Sequence, residues 1–378
     1  MKINSAAVIG TGFIGTVHVE SIRRTGVAVK GVLAGNPEST KLGAKKLAVE
    51  QAYASLDQIC DDKDVTVVHV TSPNALHYVQ VKQLLNAGKH VVCEKPLALS
   101  AKEGIELVQL AKKTGLVHAT CFNTRFYPMV HEAKFLINKK LIGTPRYIKG
   151  HYHQDWLTLD TDWNWRLEAE KAGELRAVAD IGSHLIDQIG FVSELTISEV
   201  FADLHTLVPV RQKPTGPVQT FTIDSTSARQ AVDMSSDDAA GILLRFSNGA
   251  RATVSISQIS SGRKNSINWE ISGPEGSLAF DSENPEQLWI GHRGKANEVL
   301  HKDPSMLSEA AAKTAFYPGG HVEGFSETFR GLFERVYEDI NTESESRSYP
   351  TFADGVKSLE ITDAIAQSSK SAAWVKIK

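Results

Sequence analysis

The 378-residue chain is 42% apolar and 22% charged, with a formal net charge of -3, a composition that suits a globular protein with room for two domains. That balance leaves no basic footprint, so neither nucleic acid nor an anionic membrane is an expected partner. The three cysteines, Cys60, Cys93 and Cys121, form neither a CxxC pair nor an even disulfide framework, which suits a reducing compartment. No apolar run reaches transmembrane length. Residues 1–10 are too short for a signal segment with a cleavage site and read better as a first strand. The expected location is cytoplasmic.

Ala6-Ala7-Val8-Ile9 runs straight into Gly10-Thr11-Gly12-Phe13-Ile14-Gly15, and a helical pattern follows over residues 16–24. Strand, GxGxxG and helix in that order form a dinucleotide fingerprint. Gly10 makes the tight turn, Gly12 lets the backbone approach a pyrophosphate, and Gly15 lets helix and strand pack closely. Phe13 and Ile14, within that turn, are further candidates for the cofactor, ahead of the helix whose free N–H groups face the phosphates. A second strand over residues 27–34 ends in Gly35-Asn36-Pro37. No Asp or Glu stands there to hold ribose hydroxyls, and no arginine to clamp a 2′-phosphate. With Asn36 as the candidate contact, the cofactor is NAD or NADP. The strand over residues 65–71 ends in Ser72-Pro73-Asn74, with His77 opening the next helix. Ser72, Pro73 and Asn74 are candidates for the cofactor crevice, Asn74 doubling as a helix N-cap. The apolar run Val91-Val92-Cys93 then stops at Glu94-Lys95-Pro96. Pro96 bars continuation of the strand, holding Glu94 and Lys95 at a bend on the ligand-binding edge of the sheet. From there Lys95 can reach the reacting carbon of a bound dinucleotide; the bland alternative is a surface ion pair. Strands alternating with helices to residue 122 predict a doubly wound parallel α/β sheet.

Gly10 to Gly15, Ser72-Pro73-Asn74 with His77, and Glu94-Lys95-Pro96 resemble the signatures of the Gfo/Idh/MocA family of glucose–fructose oxidoreductase- and inositol dehydrogenase-like proteins. The resemblance implies a Rossmann domain over residues 1–122. An α+β domain should follow over 123–378, its last helix expected to pack back on the first. It also implies hydride transfer at a secondary alcohol of a sugar, glycoside or cyclitol, and assembly into a homodimer or homotetramer. Asn123 and Arg125, in Asn123-Thr124-Arg125, resemble the linking segment that borders the family's site, on the cofactor and substrate side respectively. A domain-interface salt bridge is the other reading of Arg125.

The second half carries the remaining candidates. Asp155 and Trp156 precede Asp162-Trp163-Asn164-Trp165-Arg166, and Ala179-Asp180-Ile181-Gly182-Ser183-His184 follows. Asp180 and His184 stand four residues apart, one face of a helix, which brings a carboxylate near an imidazole for proton abstraction. An N-capping aspartate and a satisfied helix histidine are the alternative. Their place after Glu94-Lys95-Pro96 resembles the family's catalytic pair. The resemblance makes His184 the general acid/base, Asp180 a hydroxyl holder that orients it, and Lys95 the donor to the reacting oxygen. Trp165-Arg166 resembles the family's pair at the nicotinamide end, while Trp156 and its neighbours fit either a sugar face or ordinary aromatic packing. His151-x-His153 has no further ligand at metal spacing, so no metal is expected. Period-two segments over residues 197–290, joined at one point by Asn248-Gly249, predict an open, mostly antiparallel sheet with helices on one face. Residues 209–237, rich in Pro, Thr, Ser and Asp, read as a long irregular loop. His321, in Pro318-Gly319-Gly320-His321, resembles a position at the substrate mouth or is a helix-terminal histidine.

The expected activity is NAD(P)-dependent oxidation of a sugar or polyol, with a pyranoside ring carbon, C3 first, as the specific guess. Two alternatives stay open: reduction of a keto-sugar or other carbonyl, and a non-catalytic NAD(P)-sensing regulator of the same fold.

Overall fold

Runs of valine and alanine too apolar to face water build the first sheet of the computed structural model, which describes residues 3–216, 228–344 and 347–377. Six strands, β1 (Ser5–Ile9), β2 (Val29–Leu33), β3 (Gln51–Ala52), β4 (Val65–Val70), β5 (His90–Cys93) and β6 (His118–Thr120), pair in the order β3-β2-β1-β4-β5-β6. All five pairings are parallel. Parallel strands need crossovers, and here these are helices α1 (Phe13–Arg24), α2 (Pro37–Lys46), α3 (Leu56–Asp61), α4 (His77–Asn86) and α5 (Ala101–Thr114). Three of the five helix starts have a side-chain cause. Asn36, Ser55 and Ser100 accept backbone N–H groups as N-caps of α2, α3 and α5. The order 3-2-1-4-5-6 places its switch point between β1 and β4. The carboxyl ends of those two strands carry the glycine motif and Ser72-Pro73-Asn74.

This sheet belongs to a unit made of Met1–Asn123, Glu170–Gly173 and Thr328–Leu359. The last segment includes most of the helix Phe325–Thr342, whose Phe329, Phe333 and Tyr337 are buried. Two histidines of the unit, buried His90 and half-buried His118, accept backbone N–H groups: His90 Nδ1 from Val117 at 2.9 Å, and His118 Nδ1 from Phe352 at 3.2 Å. Burial pushes both rings down from 6.5 to about 4. A histidine with its folded pKa below the unfolded one adds stability that is complete above about pH 6.5 and is lost as the pH falls towards about 4. The melting temperature is therefore expected to fall across that window. His90→Asn keeps an oxygen acceptor for Val117 without a titrating ring and should flatten part of the fall. Calorimetric melts at pH 7 and pH 4.5 with the same slope in both proteins would contradict this.

The second unit comprises Thr124–Ala169, Glu174–Glu327 and Glu360–Lys378. Its strands are β7 (Tyr147–His153), β8 (Ile197–His205), β9 (Val210–Pro214), β10 (Arg229–Asp233), β11 (Ala239–Phe246), β12 (Arg251–Ser257), β13 (Ser266–Ser272), β14 (Ser277–Asp281), β15 (Gln287–Gly291), β16 (Glu298–His301) and β17 (Val375–Lys376). Nine of them form one sheet, ordered β16-β15-β14-β13-β7-β12-β11-β8-β17. Every pairing in it is antiparallel except β12 with β7, so the sheet is mixed. Alternation sets its inner face: Ala252, Val254 and Ile256 of β12 are buried while Arg251 and Thr253 are exposed. The helix Ser183–Ser193 joins the same apolar core through Leu185 and Ile189. It is tied down by Gln188, which accepts from Trp269 Nε1 at 2.7 Å and donates to the Thr124 carbonyl at 2.6 Å.

Three details differ from the sequence expectation. Residues 209–237 are not simply loop, because β9 and β10 pair as an antiparallel ribbon; residues 217–227 lie outside the described residues. The ribbon is held by Arg211, a cation fully buried on Asp238 and two carbonyls. β16 also escapes the period-two reading, since Glu298–His301 is too short and polar to show it. Finally, residues 178–182 form a π-helical turn ahead of the helix Ser183–Ser193. No described helix is long and apolar enough to cross a membrane.

Candidate active site

The nucleotide edge follows from backbone geometry. Gly10 sits at φ +103°, and a Cβ there would lie 2.5 Å from Thr71 Oγ1, so only glycine makes this turn without strain. A Cβ on Gly15 would meet the Gly10 carbonyl oxygen at 2.1 Å, whereas one on Gly12 would meet nothing within 4 Å. Gly12 is the N-cap of α1 and supplies no side-chain acceptor. The helix therefore presents first-turn N–H groups and an open approach beside exposed Phe13, with Ile14 next in that turn. That donor set fits a dinucleotide pyrophosphate. At the end of β2, Asn36 Oδ1 accepts the Ser39 N–H at 2.8 Å as a helix cap.

At the ends of β4 and β5 the motif residues hold one another. Ser72 donates to Gln80 at 2.6 Å, and Asn74 donates to the Ala172 carbonyl at 2.9 Å, the neighbouring Pro73 being the residue before the 3₁₀ turn Asn74–Leu76. His77 lies 2.7 Å from the Pro96 carbonyl and 2.8 Å from the Ser72 carbonyl. Burial pushes its pKa below the ordinary value despite those two acceptors. His77 thus sits between the two strand-end turns, its neutral ring able to donate to one of the two carbonyls. The Lys95–Pro96 peptide is cis. Glu94 is buried, its Oε1 3.2 Å from His18 Nε2 and its Oε2 accepting the Lys95 backbone N–H at 3.1 Å. It is not the surface carboxylate of the bland reading. Lys95 itself is half-buried. Asn123 donates to Thr328 Oγ1 at 2.7 Å. His18, Glu94 and Cys121 each bring one ligating atom within 4.8 Å of the others. Burial pushes the Cys121 thiol up from its ordinary value, and Cys121 Sγ lies 3.8 Å from His18 Nε2.

In the second unit, Asp180 and His184 lie on either side of the junction between the π turn and the helix. The entry to that turn is fastened by Asp237, whose carboxylate accepts from Arg176 N at 2.6 Å and Val178 N at 2.8 Å. Burial pushes the Asp237 carboxyl up against those two donors. Asp180 is held at both oxygens: Oδ1 accepts from Arg166 Nε and Oδ2 from Gln258 Nε2, each at 2.9 Å. It is no N-cap. The Arg166 guanidinium also lies 4.5 Å from the Trp165 ring centroid. Buried His184 has its ring centroid 6.4 Å from that of Tyr152.

The structure does not gather every candidate around Asp180. Arg125 forms a two-pronged pair with Asp187 at 2.7 and 2.5 Å, within the second unit rather than across an interface. Asp155 accepts from Lys264 at 2.6 Å and Gly262 N at 3.0 Å. Trp156 donates to Gln154 at 2.8 Å and packs on the cluster of Leu157, Trp163 and Leu167. His321 is exposed in the loop before the helix Phe325–Thr342, its Nδ1 3.3 Å from the Gly319 carbonyl. Gln258 was missed by sequence reasoning. Its signal was a glutamine continuing the inward register of Ala252, Val254 and Ile256.

Comparison with known proteins then fixes the family. The profile described as "Oxidoreductase family, NAD-binding Rossmann fold" matches residues 5–122, and the "GFO/IDH/MocA C-terminal domain" matches 130–279. The chain belongs to the Gfo/Idh/MocA oxidoreductase family. It is 29% identical over 394 residues to levoglucosan dehydrogenase of Pseudarthrobacter phenanthrenivorans, spanning 100% of this chain and 99% of that protein. A levoglucosan dehydrogenase structure, in complex with NADH and L-sorbose, superposes with a TM-score of 0.89 at 29% identity over 100% of both chains. An inositol dehydrogenase homologue from Azotobacter vinelandii complexed with NAD+ shares the fold, with a TM-score of 0.85 at 21% identity over 99% and 97% of the two chains. The family's fold, a parallel Rossmann sheet followed by a mostly antiparallel sheet, is the one seen here.

Proposed function

We propose that the protein is an NAD-dependent dehydrogenase that interconverts a secondary alcohol and a ketone on a ring sugar, levoglucosan and other anhydro- or pyranoside sugars being the first substrates to try. The observation that carries this is the end-to-end match to a levoglucosan dehydrogenase holding NADH and a sugar, together with a glycine cradle that fits a dinucleotide. When bound, NAD supplies the hydride acceptor. Lys95 donates to the carbinol oxygen and lowers the cost of its ionisation. His184 takes the hydroxyl proton as general base and returns it in the reverse direction. Asp180, held by Arg166 and Gln258, accepts from a substrate hydroxyl. A carbon of the pyranose ring, C3 first, is the proposed site of oxidation.

NAD rather than NADP is proposed because no arginine stands at the end of β2 to pair with a 2′-phosphate. Exposed Tyr147 and Leu243 on one face of the nine-stranded sheet support a homodimer or homotetramer through that face. The test is a panel of anhydro-sugars, pyranosides and cyclitols with NAD and with NADP, read at 340 nm. Turnover on a ring sugar with NAD supports the reading. Tight cofactor binding with no turnover in either direction across the panel favours a sensor of the same fold and overturns it.

A further inference from the structure

Behind the Glu94-Lys95 bend, the first unit buries a line of polar side chains from four separate elements. Tyr337 Oη lies 2.7 Å from His69 Nε2, His69 Nδ1 lies 3.0 Å from His18 Nδ1, and His18 Nε2 lies 3.2 Å from Glu94 Oε1. The other Glu94 oxygen accepts the Lys95 N–H at 3.1 Å. His18 and His69 have no exposed surface, and Tyr337 and Glu94 have almost none. Phe333 seals the line, its ring centroid 4.9 Å from that of His18 and 4.5 Å from that of His69, while Phe329 closes on His18 at 5.3 Å. Nothing in the expected chemistry requires two histidines in the middle of a Rossmann unit.

A neutral imidazole has one N–H and one lone pair, so a line of such contacts can run in only two directions. In the first, Tyr337 O–H donates to His69 Nε2, His69 Nδ1–H donates to His18 Nδ1, and His18 Nε2–H donates to a Glu94 carboxylate. In the second, every donor reverses, and Glu94 must carry a proton to donate to His18 Nε2. Burial holds His69 well below its ordinary pKa, so it stays neutral and the line cannot be broken by a doubly protonated ring there. The first direction gives an ionised Glu94 two N–H donors, His18 Nε2–H and Lys95 N–H, which is what favours the charged form of a buried carboxylate. The second leaves a buried neutral acid next to a lysine.

We propose that Tyr337, His69 and His18 form a one-way hydrogen-bond relay that keeps Glu94 ionised and fixed, and through it positions Lys95. None of the three touches substrate; they are positioning residues. The effect on turnover rests on the dehydrogenase reading above, whereas the direction of the relay does not.

Long-range 1H–15N spectra of the full-length, histidine-labelled protein read that direction without turnover. His69 is expected as the Nδ1–H tautomer, the minor form of free imidazole, and His18 as the Nε2–H tautomer, with the signals assigned by their loss in His69→Gln and His18→Gln. The opposite pair of tautomers, a doubly protonated ring, or a stoichiometric metal ion in the purified protein claiming the His18 Nε2 lone pair would each overturn the relay. Tyr337→Phe removes the donor at the head of the line without changing the shape of the ring. It is expected to lower kcat about 3- to 10-fold with little change in KM. His18→Gln, which keeps an N–H for Glu94, is expected to retain several-fold more kcat than His18→Leu. Equal kcat in Tyr337→Phe and wild type, or equal losses in the two His18 variants, would contradict the positioning role. A protein with no turnover on any sugar would fail the dehydrogenase reading while the tautomers still decide the relay.

Discussion

Replacing His184 by alanine is expected to lower kcat by about 10²–10⁴-fold, the range that a positioned general base contributes. The ring sits on the first turn of the helix Ser183–Ser193, after a π turn fastened by Asp237 and beside Tyr152. It is buried, so its loss also removes packing, and the variant must be compared with one that fills the space. His184→Gln supplies that control: it occupies a similar volume and can hydrogen-bond, but cannot shuttle a proton near neutral pH. Both variants should lose kcat alike. NADH affinity should stay within about twofold, because the nucleotide fold belongs to the other unit. If His184→Gln retained most of the wild-type kcat, His184 would be a structural residue and the base would have to be sought elsewhere.

Gly15→Ala is expected to destabilise the first unit by about 3 kcal/mol or more, at the upper end of what overpacking costs. The added Cβ would lie 2.1 Å from the Gly10 carbonyl oxygen and 3.0 Å from Thr71 Oγ1. Relief requires the turn between β1 and α1 to open, and Gly10 is fixed by its N–H bond to the Leu33 carbonyl at 2.7 Å. Gly12→Ala separates stability from binding, since its Cβ would touch nothing within 4 Å. That variant should keep the wild-type melting temperature while NADH affinity falls about 10-fold, because the methyl occupies the space where the pyrophosphate approaches. A Gly12→Ala protein that binds NADH as tightly as wild type would place the phosphates somewhere other than the turn between β1 and α1.

These contrasts also show what the sequence discloses and what it does not. The glycine motif is legible because three backbone constraints fall within six consecutive residues between a strand and a helix. The helix Ala101–Thr114 is legible to the residue, bounded by an N-capping serine and a left-handed glycine. Asp180 and His184 are legible as a spaced pair, but not the π turn beneath Asp180, which depends on Asp237 far along the chain. The partners of Asp180 are half visible: Arg166 stands out beside Trp165, whereas Gln258 is betrayed only by its place just past β12, in register with that strand's apolar face. The relay is invisible to local pattern. His69 reads as one more residue of a buried strand, and its partner Tyr337 lies 268 residues away. The same long-range folding brings Thr328–Leu359 into the first unit, which no boundary signal near residue 122 announces.

In the proposed reaction a hydride leaves the carbinol carbon of a ring sugar for the nicotinamide. The direct measurement is to incubate the protein with NAD and a turning-over sugar deuterated at the reacting carbon, then locate the label in the recovered NADH by mass spectrometry and proton NMR. Deuterium at the C4 position of the nicotinamide, with a slowed rate relative to the unlabelled sugar, is the predicted result. NADH without deuterium would rule out that transfer.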